Sequence, residues 1–281
     1  MDTQNKNVIP AAIVVAGLML SFAIYLKPSD TTKITSDQSN KVELPVRWGD
    51  TGRKLASAGA IDAVKFQQLY ENGREFPDEY DRLLNGTTPG RLKITRENAG
   101  FLLNLFWALG LANKNEILSS GEMADPRYGG ADRFASTGGW TMAQGSAMDH
   151  YNSHNFMNLT PEQQELVNKV SQGIYRPCCG NSVHFPDCNH GMAMLGLLEL
   201  MASQGATEKE MWDAALVANS YWFPDAYTTL ASYFENRGVN WKDVNPQDIL
   251  GVNYSSSSGF AKIASQVKVP SQSGSTGGCG V

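Results

Sequence analysis

The sequence is poor in charge and has no run of basic residues. Only 18% of its 281 residues are charged, and the formal net charge is −5. Proteins that bind nucleic acid carry clustered Lys and Arg, so we expect no nucleic-acid partner. The motifs of common hydrolases are also missing, since the chain contains no G-x-S-x-G, no H-E-x-x-H and no P-loop. The sequence therefore favours a protein that is not an enzyme.

The chain also lacks convincing strands of alternating polar and apolar residues, whereas helix signals recur along it. One helix-like run, 96–113, is apolar nearly all round, which predicts a central buried helix. The fold is therefore predicted to be all-α. The predicted helices cover residues 54–72, 78–84, 96–113, 160–172, 191–202, 206–223, 226–236 and 259–267.

The two ends of the chain differ in composition from its middle. Residues 8–26 carry no charge and are long enough to span a bilayer as a helix, which predicts a transmembrane anchor within 1–27. A cleaved signal peptide is the alternative, because Ser21 and Ala23 resemble a cleavage site. Residues 28–50 are predicted to be a polar linker, 51–268 a globular domain, and 269–281 a flexible tail containing Cys279. We expect a single-pass membrane protein with its main domain outside the cytoplasm.

Cysteine and histidine are scarce, and they are concentrated in one region. The chain has four of each, and three cysteines and all four histidines lie between positions 150 and 190. Thiolate and imidazole are the ligands that hold zinc and copper(I) in proteins. This concentration predicts either a soft-metal site or a disulfide.

The densest part of that region is 176–194. Prolines and glycine make 178–187 a predicted loop, and a helix follows it, capped by Asp187 or Asn189. Cys188 and His190 would then lie at the positive end of the helix, where the pKa of a thiol is lowered. The predicted ligands are Cys178, Cys179, Cys188 and His190, with His184 in reserve. Copper(I) is the first choice of metal and zinc the second.

His150 and His154 form a second candidate pair. Residues four apart on a helix share a face, so both imidazoles would point the same way, as in many two-ligand arrangements for zinc or copper. We predict that the pair lies on one helical turn near the cysteine loop.

Other interpretations of the cysteines stay open. Cys188 and either Cys178 or Cys179 could form a disulfide, or could carry out thiol–disulfide exchange with Cys188 as the thiolate. Zinc or a disulfide could also serve only to stabilise the loop, in a domain whose function is to contact other proteins. Adjacent cysteines do not easily bind one ion without a strained turn. Cys279, on its flexible tail, could reach this site or a thiol of a partner protein.

The residues Pro177, Cys178, Cys179 and Gly180, followed by Cys188, resemble the Pro-Cys-Tyr-Cys-Gly-Cys-type motif of some exported bacterial proteins of unsettled function. The Tyr and the third clustered Cys of that motif are missing from this chain. The resemblance covers about a dozen residues, so no residue role is carried over.

The anchor makes a direct prediction about fractionation. If residues 8–26 span a membrane, carbonate washing leaves the full-length chain in the membrane fraction, because a buried apolar helix is not released by high pH. Recovery of a soluble form that begins near Ile24 would show a cleaved signal peptide instead.

Overall fold

A computed structural model describes residues 41–71, 73 and 75–267 of the chain. Within them the fold is mostly helical, as the sequence predicts, but it also contains a small sheet. The strands are β1 (Val42–Gly49) and β2 (Thr88–Ile94). The helices are α1 (Thr51–Ser57), α2 (Ala63–Glu71), α3 (Asp78–Leu84), α4 (Ala99–Ala112), α5 (Glu116–Ser120), α6 (Ala147–His150), α7 (Pro161–Gly173), α8 (Asn189–Ser203), α9 (Glu208–Trp222), α10 (Pro224–Glu235), α11 (Pro246–Leu250), α12 (Val252–Ser255) and α13 (Ser257–Ala264).

The sheet corrects the prediction that the chain has no strands. β1 and β2 pair antiparallel, with Val42 opposite Ile94 and Gly49 opposite Thr88. β1 lies inside the predicted linker 28–50, yet Leu44, Val46 and Trp48 are buried on one face of it. Because these apolar side chains alternate with polar ones, β1 covers the core and the folded part of the chain includes it.

The first predicted helix, 54–72, is two helices. α1 ends at Ser57, and Gly59 then adopts a left-handed φ of +80°, a conformation that favours glycine. The second helix starts from a new cap, since Asp62 Oδ1 accepts hydrogen bonds from the backbone N–H groups of Val64 and Lys65. The apolar residues of α1 and α2 therefore follow one helical period in the sequence, although a turn at Gly59 separates the two helices.

Several predicted helix starts are confirmed by their capping contacts. Thr160 begins α7 with a capping box that includes Gln163, and Pro161 occupies the first turn. Thr207 and Glu210 form the same arrangement at the start of α9. Between α5 and α6 the chain is irregular and contains three short 3-10 helices, Glu122–Ala124, Pro126–Tyr128 and Ala131–Arg133.

The core is built around the crossing of α4 and α8, both of which are buried along nearly their whole length. At the crossing, Gly110 faces Gly196. A Cβ on Gly110 would lie 2.8 Å from the backbone nitrogen of Gly196, and a Cβ on Gly196 would lie 2.7 Å from that of Gly110. Since real Cβ atoms do not approach backbone so closely, only glycine lets these two helices touch.

The other predictions about the chain ends lie outside the described residues. These are the anchor 8–26, most of the linker, and the tail with Cys279. None of the helices in the described part of the chain is long and apolar enough to cross a membrane.

The crossing predicts a strong effect of Gly196→Ala. The added methyl group would overlap the carbonyl oxygen of Phe106, so α4 and α8 must separate. We expect the free energy of unfolding to fall by about 1–3 kcal/mol, as is typical of an overpacked core. Urea unfolding of the two proteins measures this difference.

Gly100→Ala is the matched control, because Gly100 lies on α4 and a methyl group added there would have no atom within 4 Å. Its stability should be unchanged or slightly higher, since Ala favours helix over Gly. Equal stability of the Gly196 and Gly100 variants would contradict the close crossing.

Candidate metal centre

The loop that precedes α8 begins with a tight turn. The backbone N–H of Cys179 donates to the carbonyl of Arg176 at 3.2 Å, which closes a four-residue turn over 176–179. Pro177 stands at the second position of this turn, where its fixed φ is favourable. The turn brings two neighbouring cysteines to the same end of α8 as Cys188.

Further backbone bonds hold this loop, residues 176–188 (the cysteine loop), against the helices around it. Tyr175 pairs with Ser182 as an isolated antiparallel bridge across the base of the loop. The carbonyl of Cys179 accepts from the N–H of Ser257 at 2.9 Å, and the N–H of Tyr175 donates to Leu250. The C-terminal helices therefore fix the position of Cys179.

The sulfur atoms of Cys178, Cys179 and Cys188 (the cysteine cluster) converge. Sγ of Cys188 lies 3.7 Å from that of Cys178 and 3.8 Å from that of Cys179. All three sulfurs lie within 4.8 Å of one another, and the three cysteines are free thiols rather than a disulfide. The turn at Pro177 brings the sulfurs of both adjacent cysteines close to Cys188, and whether they bind one ion together stays a prediction.

Cys188 itself caps α8, which corrects the expectation that Asp187 or Asn189 would do so. Its Sγ accepts a hydrogen bond from the N–H of Gly191 at 3.4 Å. Hydrogen bonds with Cys178 and Cys179 lower the pKa of Cys188 well below its usual range. The charge of Arg176 also lowers this pKa, whereas burial raises it. Of the three thiols, Cys188 is therefore the one that loses its proton most readily.

The other two cysteines hold their protons more tightly. Hydrogen bonds with Cys179 and Cys188, together with burial, raise the pKa of Cys178. For Cys179 the hydrogen bond with Cys178 lowers the pKa, but the bond with Cys188 and burial outweigh it and raise the pKa to about 12. One thiolate is thus shared by two thiols that can donate to it.

A buried arginine, absent from the sequence predictions, faces this thiolate. Arg176 has no exposed surface, and its Nη2 lies 3.3 Å from Sγ of Cys188 and 3.0 Å from Oδ1 of Asp187. Its Nη1 donates to the carbonyl of Asn181 at 2.8 Å. Burial lowers the pKa of Arg176, but the charge of Cys188 outweighs it and raises the pKa, so the guanidinium stays charged beside the sulfurs.

Gly191 keeps the guanidinium in this place. A Cβ on Gly191 would lie 2.6 Å from Nη2 of Arg176 and 3.2 Å from Cα of Pro186. Only glycine therefore allows the first turn of α8 to pack on Arg176. The signal that could have revealed Arg176 and Asp187 is their position at the two ends of the loop in a chain with few charges.

His190 lies beside the cluster, on the first turn of α8. A hydrogen bond with His190 helps to lower the pKa of Cys188. Its Nδ1 is buried and has no hydrogen-bond partner among the described residues, and its ring packs on Phe223 with centroids 4.3 Å apart. A buried imidazole nitrogen without a partner is chemically suited to hold a metal ion, but the ring nitrogens of His190 are not among the ligand atoms that converge within 4.8 Å, so its ligand role stays a prediction.

The other three histidines also lie outside the group of converging ligand atoms, which among the described residues consists of the three cysteines. His184 is half-buried in the cysteine loop, and its backbone N–H donates to the carbonyl of Ser171 at 3.1 Å. Its role as a reserve ligand stays a prediction.

His150 and His154 meet each other instead. Nε2 of His150 lies 2.9 Å from the carbonyl of Gln144, so it carries the proton, and Nδ1 of His150 accepts from Nε2 of His154 at 3.0 Å. The helical turn predicted for the pair is wrong, because α6 ends at His150 and Asn152 has a φ of +52°.

The contacts of this histidine pair run to other parts of the fold than the cysteine loop. His154 forms an isolated bridge with Asn113, and its ring stacks on Phe156 with centroids 5.2 Å apart. Burial, followed by the neighbouring His150, lowers the pKa of His154. A ligand role for either residue stays a prediction.

Comparison with protein-family models, with curated proteins and with solved structures finds no match for this chain. The functional assignment therefore rests on the chemistry of the cysteine cluster.

The packing of Gly191 on Arg176 predicts the effect of Gly191→Ala on the thiolate. The methyl group would push the guanidinium away from Sγ of Cys188, so the pKa of Cys188 should rise toward the value of an ordinary thiol. Titration of thiolate absorbance in the metal-free protein measures this shift.

Gly180→Ala serves as the control, because Gly180 lies in the same loop with no atom within 4 Å of an added methyl group. It should titrate like the unchanged protein. A Gly191 variant with the same titration curve would mean that Arg176 does not stabilise the thiolate.

Proposed function

We propose that this protein binds one soft metal ion, zinc or copper(I), through Cys178, Cys179 and Cys188, with His190 as the fourth ligand. The observation that carries the proposal is the convergence of three free sulfurs within 4.8 Å at the end of a buried helix. On this proposal the protein is a membrane-anchored metal-binding protein with its main domain outside the cytoplasm, held by residues 8–26.

The sulfur separations fit a tetrahedral ion. With metal–sulfur bonds of about 2.3 Å, the sulfurs of a tetrahedral site are about 3.8 Å apart. The separations of 3.7 and 3.8 Å from Cys188 match that edge. The buried, unpartnered Nδ1 of His190 supports a fourth position filled by imidazole.

Charge balance favours zinc over copper(I). Three thiolates, a divalent ion and the buried Arg176 sum to zero, whereas a monovalent ion leaves one negative charge. Asp187 adds the same charge to both cases. Because an uncompensated charge is costly to bury, the fully buried guanidinium suits a divalent ion better.

Thiol–disulfide exchange is the second candidate, favoured by the lowered pKa of Cys188. In that reaction the Cys188 thiolate would attack one sulfur of a substrate disulfide, form a mixed disulfide with it and release the other substrate sulfur as a thiolate. Cys178 or Cys179, 3.7 or 3.8 Å away, would then displace the substrate thiol and leave an internal disulfide.

Elemental analysis of protein purified without added metal separates the candidates. We expect one zinc or copper ion per chain in the unchanged protein, and none in Cys188→Ser. Ser is a preferred helix cap, so this substitution removes the ligand while α8 keeps its cap. Cys279→Ser is the control and should retain nearly all the metal, because a ligand on a tail that is flexible, as the sequence predicts, would lose much entropy on ordering.

Acidification provides a second arm of the same test. A metal ion must displace protons from thiols, so retention should fall as pH drops. Because the pKa of Cys188 is lowered and those of Cys178 and Cys179 are raised, the protons released on binding should come mainly from Cys178 and Cys179. Metal-free protein with an internal disulfide that is lost in Cys188→Ser would instead establish the redox candidate.

A further inference from the structure

A second site of a different chemical kind lies between α5 and α7. It is an open cleft with a volume of about 810 Å³, and no cysteine lines it. Six side-chain amides share its walls, and volumes of this size are typical of small-molecule sites. The six are Asn115, Asn152, Asn155, Asn158, Gln164 and Asn168.

The amides on the floor of the cleft are held in fixed orientations. Asn115 Nδ2 donates to Oε1 of Glu199 at 2.6 Å, and its Oδ1 accepts from Gln164 Nε2 at 3.0 Å. Gln164 Nε2 also donates to Oδ1 of Asn168, whose Nδ2 donates to Glu116 at 2.6 Å. Glu199 is completely buried and burial raises its pKa, so the network starts from a carboxyl group inside the core.

This network leaves a defined set of amide atoms without an internal hydrogen bond. Gln164 uses both of its N–H donors internally, so its Oε1 is left as an acceptor. Asn152 accepts from the N–H of Asn115 through its Oδ1, and its Nδ2 is left as a donor. Asn155 and Asn158 have no side-chain hydrogen bond among the described contacts. The cleft therefore offers donors and acceptors side by side, and those of Gln164 and Asn152 are ordered before a ligand binds.

The composition of the cleft excludes other ligand classes. The cleft is lined by one cationic residue, Lys114, and by two acidic residues, Glu116 and Glu165. An anionic ligand such as a phosphate is therefore disfavoured. None of the usual features that recognise peptides lines it, since it has no strand edge, no aromatic groove and no arginine cluster. Most of its lining side chains are polar, which disfavours an apolar ligand.

We propose that this cleft binds an uncharged, hydroxyl-rich ligand of the carbohydrate class. Each hydroxyl group both donates and accepts, so neighbouring hydroxyls match neighbouring amide N–H and C=O groups. The site does not depend on the metal centre, and either can exist without the other.

Three neutral disaccharides, maltose, cellobiose and N,N′-diacetylchitobiose, are suitable probes for the full-length chain labelled with ¹⁵N. We expect at least one of them to shift the side-chain amide signals of the cleft, with a dissociation constant in the millimolar range. Gln164→Leu removes the free acceptor and should weaken that binding by about tenfold, the effect of one hydrogen bond.

Gln172→Leu is the matched control, because Gln172 is exposed on the same helix α7 and does not line the cleft. It should bind like the unchanged protein. Asn158→Ala guards against misfolding of the Gln164 variant, since Asn158 is exposed and has no internal hydrogen bond, and it should also weaken binding.

Three results would overturn the proposal. These are no shift with any of the sugars at high concentration, equal weakening by the Gln172 and Gln164 variants, and tighter binding of triglycine than of every sugar. The last result would assign the cleft to peptides.

Discussion

The contact between Gly110 and Gly196 is the constraint on which the rest of the structure depends. Because neither residue has a Cβ, the backbones of α4 and α8 touch, and two almost wholly apolar helices form the centre of the core. This contact fixes the depth of α8 in the fold. Cys188 is the cap of that helix, so the same contact also fixes where the thiolate stands relative to the cysteine loop.

Arg176 distinguishes the surroundings of the cysteine cluster from ordinary apolar packing. A buried guanidinium is costly unless it is paired, and its partners here are Asp187, the carbonyl of Asn181 and the sulfur of Cys188. Its Nε has no partner among the described residues. Thiols that only filled space would be better served by an apolar neighbour. A fixed positive charge beside three sulfurs is favourable when the sulfurs carry negative charge.

The helices were predictable from sequence because their signals are local. These signals are long apolar runs and capping boxes, such as those at Thr160 and Thr207, and both are present in the structure. β1 was not recognised, since Pro45 and a polar neighbourhood hid the alternation of Leu44, Val46 and Trp48. The cysteines could be identified as candidate metal ligands from the composition of the region alone. Arg176 could not, because its role arises from the turn at Pro177 and from the space above Gly191, which only the folded chain creates.

The helix α8 carries ionisable groups near both of its ends, and their pKa values shift in opposite directions. The pKa of Cys188 at the N-terminus is lowered, and that of Glu199, eleven residues on and about 16 Å along the axis, is raised by burial. The helix dipole favours a negative charge at the first position and disfavours it toward the last turn. One end of α8 therefore faces the cysteine cluster, and the other supports the amide cleft through Asn115. A signal between the two sites would have to move α8 as a rigid body. The close glycine crossing resists such a movement, so we expect any ligand of the cysteine cluster and any ligand of the cleft to bind independently.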